Sequence, residues 1–176
     1  SAVIMTYGDV TVSGSYFANN SGRWGAAISS HSTTGDIIVN IENSVFEDNQ
    51  GLYGTGVLIY GSEFTITNTT FINNTAWGKG NMTPNNNNGG AIQIYGSTAD
   101  GEVVDSIFIG NNAHYGGAIA ISENNGVVIK NSTFINNTAT VGGAIFAGTS
   151  LPLLNEVALI DSLFRNNTDS IEGAIA

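Results

Sequence analysis

The 176-residue sequence contains no cysteine, only two prolines and only four basic residues. The absence of cysteine excludes disulfides, thiol catalysis and cysteine zinc sites, but it leaves the redox compartment open. Fourteen acidic residues give a formal net charge of −10, which repels nucleic acid and anionic membrane surfaces alike. No apolar run approaches the ~20 residues of a membrane span. Neither nucleic acid nor direct membrane insertion is therefore expected.

What the sequence does contain is one repeat, present in six copies. Its first element is Phe-x-x-Asn, with phenylalanine at Phe17, Phe46, Phe71, Phe108, Phe134 and Phe164 and asparagine at Asn20, Asn49, Asn74, Asn111, Asn137 and Asn167. Its second element is Gly-Gly-Ala-Ile or a near variant, which begins at Gly25, Gly54, Gly89, Gly116, Gly142 and Glu172. In five of the six copies the aliphatic residue of the second element follows the phenylalanine by eleven positions, whereas the third copy has ten extra residues. Such regular spacing indicates a repeat architecture.

A third element, an alternation of apolar and polar residues such as Val39/Ile41, precedes the phenylalanine of each copy. Three short strand-like segments per copy, with Gly, Asn, Ser and Thr between them, predict an all-β fold. We expect a right-handed parallel β-helix, a solenoid of about six coils with three short strands per coil. The whole range 1–176 is expected to be a single segment of a longer array or polymer. The extra residues, about 75–88, are expected to project as a loop.

Stacked coils place equivalent residues directly above one another. The six phenylalanines are therefore expected to form an internal aromatic ladder, and the six asparagines to pass side-chain amide hydrogen bonds from coil to coil. The paired glycines suit a corner that needs positive φ or a close approach of the backbone.

The two motifs in alternation resemble the repeats of the chlamydial polymorphic membrane proteins and of the adhesin-like β-helix proteins of methanogenic archaea. The resemblance covers essentially the whole chain. It implies a surface-exposed β-helical stalk or passenger involved in adhesion. Because the cysteines common in the chlamydial members are missing, the archaeal or another exported branch looks closer.

Parallel β-helices also carry polysaccharide lyases and glycosidases, which need convergent carboxylates. The acids of this sequence are scattered: Asp105 and Asp161 stand three positions before a phenylalanine, where the other copies have glycine or asparagine. The acidic groups at 47–48 and 100–105 lack the spacing of calcium-binding loops. His31 and His114 occupy different repeat positions, which indicates loop or surface residues rather than a catalytic triad. We therefore predict no catalytic residue, no metal and no cofactor, and a protein that is not an enzyme.

Two rows of side chains are candidate surfaces. Trp24, Tyr53 and Tyr115 lie seven positions after their phenylalanines, and the aliphatic residues at the same position of later copies favour inward packing over sugar binding. Alternation after the glycine corner predicts a second, outward-facing and rather apolar row, a candidate lateral interface or ligand surface. This row consists of Leu58, Tyr60, Gln93, Tyr95, Ala120 and Phe146.

Seven Asn-x-Ser/Thr sequons provide candidate glycosylation sites, at Asn19, Asn68, Asn73, Asn81, Asn131, Asn136 and Asn166. Glycans there would suit a surface protein, whereas composition alone accounts for about four of the seven.

The sequence as a whole favours a non-catalytic extracellular or cell-surface β-helix, either part of an adhesin or a subunit of a self-assembling filament or sheath. The expected partner is the protein itself, in a head-to-tail or lateral homopolymer, or a glycan or protein of a host or cell surface. Two alternatives remain open: a carbohydrate-active enzyme (polysaccharide lyase or glycosidase) whose acids converge only in three dimensions, and a passive glycan-binding module.

Overall fold

The computed structural model describes residues 3–77, 89–96, 98–123, 126–148 and 156–170. Within these ranges the regular structure consists of 24 short strands and contains no helix. The strands form four parallel sheets of six strands each, and each strand pairs with its equivalents in the neighbouring coils. The chain is thus a parallel β-solenoid of about five turns, which confirms the predicted all-β fold class.

The four sheets, which we label A to D, follow one another in every coil. Sheet A contains β1 (Ile4–Thr6), β5 (Ile28–His31), β9 (Val57–Tyr60), β13 (Ile92–Tyr95), β17 (Ile119–Ser122) and β21 (Ile145–Ala147). Sheet B contains β2 (Val10–Ser13), β6 (Ile38–Glu42), β10 (Glu63–Thr67), β14 (Asp100–Val104), β18 (Gly126–Lys130) and β22 (Val157–Ile160). Sheet C contains β3 (Tyr16–Ala18), β7 (Val45–Glu47), β11 (Thr70–Ile72), β15 (Ile107–Ile109), β19 (Thr133–Ile135) and β23 (Leu163–Arg165). Sheet D contains β4 (Ser21–Trp24), β8 (Gln50–Tyr53), β12 (Thr75–Ala76), β16 (Asn112–Tyr115), β20 (Thr138–Val141) and β24 (Thr168–Asp169).

The expectation of three strands per coil is wrong, because sheet D provides a fourth. Its strands follow the asparagine of each repeat and are two to four residues long. Sequences such as Ser-Gly-Arg-Trp in β4 and Gln-Gly-Leu-Tyr in β8 show no regular apolar alternation. In a solenoid a strand is formed by backbone hydrogen bonds to the coils above and below, so a segment without alternation can still pair.

The insertion of the third copy begins later than expected. Thr75 and Ala76, the first residues of the predicted loop 75–88, form β12 and pair with Gln50 and Gly51 of the preceding coil. Residues 78–88 lie outside the described ranges, so the projecting loop remains a prediction.

The core fills the space that the sheets enclose. Alternate residues of sheets A and B point inward, and the pattern is clearest in β10, where Phe64 and Ile66 are buried between partly or fully exposed neighbours. Each strand of sheet C contributes its central phenylalanine to the same cluster, partly buried in the first and last coils. Sheet D contributes small side chains such as Ala76 and Ala113.

Left-handed backbone conformations mark the corners on both sides of sheet C. The corner before the sheet is formed by Gly14, Asn43, Asn68, Asp105, Asn131 and Asp161, and the corner after it by Asn19, Asp48, Asn73, Gly110, Asn136 and Asn166. All twelve residues have φ between 47° and 65°. Glycine, asparagine and aspartate are the residues that tolerate this conformation best, which explains why these types recur at the two positions.

The glycine motif forms the corner between sheets D and A. Gly116, for example, has φ of 60°, and a Cβ atom on it would lie 2.0 Å from the carbonyl oxygen of Ile119. A side chain at this position is therefore excluded both by conformation and by space.

Candidate functional site

The six phenylalanines of the repeat form one continuous stack inside the solenoid. Neighbouring rings have centroids 4.6 to 4.9 Å apart and interplanar angles of 1° to 10°. The four inner rings are fully buried, whereas Phe17 and Phe164, in the first and last described coils, are partly exposed. Burial and stacking act on the same side chains, so the ladder is a main source of cohesion between coils.

The asparagines three residues later form a hydrogen-bonded ladder. Asn74, as an example, donates from Nδ2 to Asn111 Oδ1 at 3.0 Å and to the carbonyl oxygen of Phe46 at 2.9 Å. Its own Oδ1 accepts hydrogen bonds from the backbone N–H and Nδ2 of Asn49. The same pattern connects the asparagines from Asn20 to Asn167. Both amide hydrogens and the amide oxygen of each inner asparagine are thus satisfied in a fully buried position.

A third ladder lies two positions before each phenylalanine, and sequence reasoning missed it. It consists of Ser15, Ser44, Thr69, Ser106, Ser132 and Ser162. Each hydroxyl donates to the carbonyl oxygen two residues earlier, and Ser106 Oγ, for instance, also accepts the backbone N–H of Thr69 at 3.2 Å. The signal was present in the sequence as a serine or threonine in all six copies.

The carboxylates that were weighed as catalytic or calcium-binding groups are distributed over the outside of the solenoid. Asp105 and Asp161 are exposed corner residues with left-handed φ, two coils apart. Glu102 forms an ion pair with Lys130, with 2.8 Å between Oε2 and Nζ. Within the described ranges, no three histidine, aspartate or glutamate side chains lie close enough together to hold a metal ion.

His31 was expected to be a loop or surface residue, but it lies half-buried on strand β5. Its ring packs between Tyr7 and Tyr60, with centroid distances of 5.9 and 5.3 Å. Burial lowers the pKa of His31 below its ordinary value, so the imidazole is neutral at physiological pH. His114, by contrast, packs edge-on against its neighbour Tyr115.

Among the described residues, four buried side-chain polar atoms without a hydrogen-bond partner all stand at outward positions of sheet A. They are Ser29 Oγ, His31 Nε2, Gln93 Oε1 and Ser122 Oγ. Next to His31, an open depression lies between the turns that follow β1 and β5. It is bordered by Tyr7, Asp9, His31, Thr33 and Asp36. We call it the Tyr7 depression.

The expected exposed stripe on sheet A is wrong for Leu58 and Gln93, which are only 3% and 4% exposed. The alternation of inward and outward residues correctly predicted that these side chains point away from the core, because Val57 and Ile59 belong to the core cluster and Leu58 does not. Exposure depends in addition on what lies against the outer face. There the glycine corner approaches so closely that a Cβ on Gly54 would lie 2.9 Å from the Cβ of Gln93.

The remaining members of this row are also at least half-buried. Ala120 is fully buried, and Phe146 packs against Tyr115 with ring centroids 4.8 Å apart. Tyr60 and Tyr95 stack at 5.2 Å. Burial, together with the Glu123 carboxylate, raises the pKa of Tyr95 to about 12. The row is a packed face rather than an open stripe.

The inward packing expected for the aromatic row before the glycine corner is wrong for Trp24, which is 46% exposed. Trp24 stacks on Tyr53 with centroids 4.3 Å apart, and the guanidinium carbon of Arg23 lies 5.9 Å from the tryptophan ring. Valine at the equivalent position 141 is buried, so the later copies misled the prediction.

The sequon asparagines within the described ranges are all exposed. They are Asn19, Asn68, Asn73, Asn131, Asn136 and Asn166, and each has a left-handed φ at a corner of sheet C. Asn81 lies outside the described residues. The backbone requirement at these corners accounts for the asparagines by itself, and glycosylation remains a prediction.

Comparison with known proteins identifies a repeat family that this chain resembles. The model of the Chlamydia polymorphic membrane protein (Chlamydia_PMP) repeat matches residues 68–95 and 131–148. Each matched segment contains one Phe-x-x-Asn element and one Gly-Gly-Ala-Ile element, at Phe71 and Gly89 and at Phe134 and Gly142. No curated protein and no solved structure matched the chain significantly. In the described ranges, no helix has the length and apolar character needed to cross a membrane.

The repeat family points to a surface-associated, adhesin-like protein with surface-exposed or outer-membrane association. The two motifs of the repeat occupy fixed places in each coil: the phenylalanine lies in sheet C and the aliphatic residue of the second motif lies in sheet A. The chain therefore carries repeats of the Chlamydia polymorphic membrane protein type, folded as a parallel β-solenoid.

Proposed function

We propose that this chain is a non-catalytic, extracellular segment of a surface adhesin or surface layer, whose solenoid serves as a stiff stalk or platform for contacts with other surfaces. The observation that carries the proposal is that the repeated polar and aromatic side chains have structural roles. The phenylalanines stack, the asparagines and serines bond from coil to coil, and the corner residues adopt left-handed φ. The repeat therefore supports a regular solenoid geometry along the chain rather than a reaction centre.

The positions of the acids support the absence of catalysis. Asp105 and Asp161 are exposed and stand at the corner position that asparagine or glycine occupies in the other coils. The left-handed φ of this corner accounts for both aspartates without a catalytic role. Glu102, a further acid of sheet B, is neutralised by Lys130.

Binding of the purified, fluorescently labelled chain to whole cells tests the proposal. We expect saturable binding to a cell or host surface, with no release of reducing ends or unsaturated uronates when the chain is incubated with polysaccharides. If such products were released and Asp105→Asn abolished their release, the chain would be an enzyme and the proposal would be wrong. Absence of binding to every surface tested would remove the adhesive role.

Glycan binding without catalysis is a second candidate, supported by the Tyr7 depression. Tyr7 is 73% exposed and borders the depression together with Asp9 and Asp36. Aromatic faces and carboxylates together suit sugars, since the ring contacts C–H groups and the carboxylates accept hydrogen bonds from hydroxyls. We expect Tyr7→Ala to abolish binding on a glycan array and Tyr16→Ala, a control that removes another exposed tyrosine, to leave it unchanged.

The exposed sequons support glycosylation of the protein in a host that modifies Asn-x-Ser/Thr sites. Mass spectrometry of tryptic peptides from the native source tests this directly. Unmodified asparagine at all seven sequons would assign these residues to corner geometry alone.

A further inference from the structure

The outer side of sheet D combines exposed aromatic and polar side chains. The small residues Gly51, Ala76 and Ala113 are buried on the inner side of the sheet, and the residues beside them point outward. These outward residues form two columns along the solenoid, which we call the sheet D face. The first column consists of Ser21, Gln50, Thr75, Asn112, Thr138 and Thr168. The second column consists of Arg23, Leu52, Trp77, His114 and Thr140.

Both tryptophans of the chain lie at this sheet, and both are exposed. Trp77 is 55% exposed, although its backbone N–H is bound to the carbonyl oxygen of Gly51 at 2.9 Å. Trp24, at the end of β4, stacks on Tyr53 and still leaves 46% of its surface exposed. Leu52 and Tyr53 belong to the coil between the two tryptophans, so these four side chains form one apolar patch. An apolar patch with polar residues around it is the surface feature that marks interaction sites.

The column beside this patch provides hydroxyl and amide groups without charge. Gln50 and Asn112 are exposed, and Thr75 lies between them in register. Asn112 donates from Nδ2 to Thr138 Oγ1 at 2.6 Å, which holds its amide in one orientation. Two residues along a strand span about 7 Å, so the polar column lies about the width of one sugar ring from the aromatic column.

The sheet D face also differs from its neighbours in charge. Sheet B has outward acids such as Glu63 and Asp100, and sheet C has Glu47. At the outward positions of sheet D, by contrast, the described residues include no carboxylate. Asp169, the one acid within the strands of this sheet, stands at the inward position in register with Ala139. Because the net charge of −10 repels anions, uncharged polar groups beside exposed rings suit a neutral ligand.

We propose that the sheet D face binds a neutral glycan chain that lies along the solenoid axis. This rests on the adhesive role proposed above and gives that role a ligand class and a surface. The Trp77 ring contacts the C–H face of one sugar, and Trp24 with Tyr53 forms a second platform two coils, or about 10 Å, away. The amides of Gln50 and Asn112 donate to and accept from the sugar hydroxyls. Each coil advances by ~4.8 Å, close to the length of one sugar unit in an extended chain, so successive coils meet successive sugars.

Tryptophan fluorescence tests the proposal directly, because both tryptophans of the chain lie at this face. The probes are a panel of linear neutral oligosaccharides and the same chains with uronic-acid units. The sequon residues Asn73 and Asn136 border sheet D, so the titrations use unglycosylated protein. We expect neutral chains to shift the tryptophan emission in a saturable way and uronic-acid chains to bind more weakly, because the net charge of the protein repels them.

Substitutions locate the binding surface. Trp77→Ala should weaken binding about tenfold or more, whereas Trp77→Phe, which keeps a ring, should retain most of it. Gln50→Glu removes an amide donor, adds a negative charge and should weaken binding as well. Asn40→Asp makes the matched change at an exposed amide of sheet B and should leave binding unchanged. Binding in the Tyr7 depression is a separate event, so Tyr7→Ala should leave the fluorescence response intact.

Three fluorescence results would overturn the proposal: no response to any neutral chain, a response that Trp77→Ala and Gln50→Glu leave unchanged, and a stronger response to uronic-acid chains. Self-association that Trp77→Ala abolishes would also overturn it, because the face would then bind a second copy of the chain. Circular dichroism and the melting temperature of each variant establish that lost binding is not a lost fold. Binding to whole cells that persists without any fluorescence response would refute this site and leave the adhesive role standing.

Discussion

Removal of one ring from the phenylalanine ladder is the most informative perturbation of the fold. Phe108 is fully buried and stacks on Phe71 at 4.9 Å and on Phe134 at 4.6 Å. Phe108→Ala loses the burial of the side chain, leaves a cavity that two packed coils cannot close, and removes two stacked pairs of ~0.5 to 1.5 kcal/mol each. We expect a total loss of ~3 to 5 kcal/mol in the free energy of unfolding.

Chemical denaturation followed by circular dichroism measures this loss. Two variants serve as references. Phe164→Ala should cost less, because Phe164 is partly exposed and stacks on one described ring only. Asn40→Ala changes an exposed residue of sheet B and should fall within about 0.5 kcal/mol of the unmodified chain. If Phe108→Ala were as stable as Asn40→Ala, the ladder would not be a source of stability.

Three further predictions concern the asparagine ladder, the corners and the buried histidine. Asn74→Ala leaves at least the carbonyl oxygen of Phe46 and the Oδ1 of Asn111 with fewer hydrogen-bond partners. At ~1 to 3 kcal/mol for each group left unsatisfied, the substitution should lower the free energy of unfolding by ~2 kcal/mol or more. Equal stability to the unmodified chain would contradict the ladder. Asn131→Val should cost ~1 to 2 kcal/mol because its φ is left-handed, while Asn131→Gly should be nearly neutral, a difference that thermal melts can resolve. Because the pKa of His31 is lowered in the fold, the neutral imidazole contributes stability that is fully present above the ordinary pKa of 6.5. This stability is lost as pH falls through 6.5 toward the folded-state pKa. The melting temperature should therefore drop between about pH 7.5 and 5 by more in the unmodified chain than in His31→Gln.

The fold class followed from the sequence because its signal is periodic. Phe-x-x-Asn and the glycine motif recur at constant spacing, and a constant spacing is what stacked coils require. The strands of sheet D could not be found in the same way. Segments such as Thr75–Ala76 are too short to show a pattern, and their pairing depends on neighbouring coils.

Exposure was harder to predict than direction. Alternation correctly turned Leu58 away from the core, but only the structure shows the glycine corner packed against the same face. Trp24 was assigned to the core by analogy with the aliphatic residue at position 141, and the first coil does not follow that analogy. Sequence patterns along one strand contain no information about what lies over its outer side.

The coil register illustrates the same limit for surfaces. Glu47 and Arg165 are 118 positions apart in the sequence, yet the register of the coils places both in one outward column of sheet C. Neither residue forms part of a recognisable motif. Only the coil-by-coil register brings such residues onto one surface.

The central claim, that each repeat forms one coil in register with the next, is tested most directly by spin-label distances along one outward column of sheet B. In this column, Val128 lies four coils and Ala158 five coils beyond Thr11. After substitution by cysteine, pulsed electron paramagnetic resonance should give about 19 Å for the pair 11/128 and about 24 Å for the pair 11/158. Two narrow distributions that differ by about one strand spacing, ~4.8 Å, agree with the solenoid. Broad distributions, or a 11/158 distance no longer than the 11/128 distance, would contradict it.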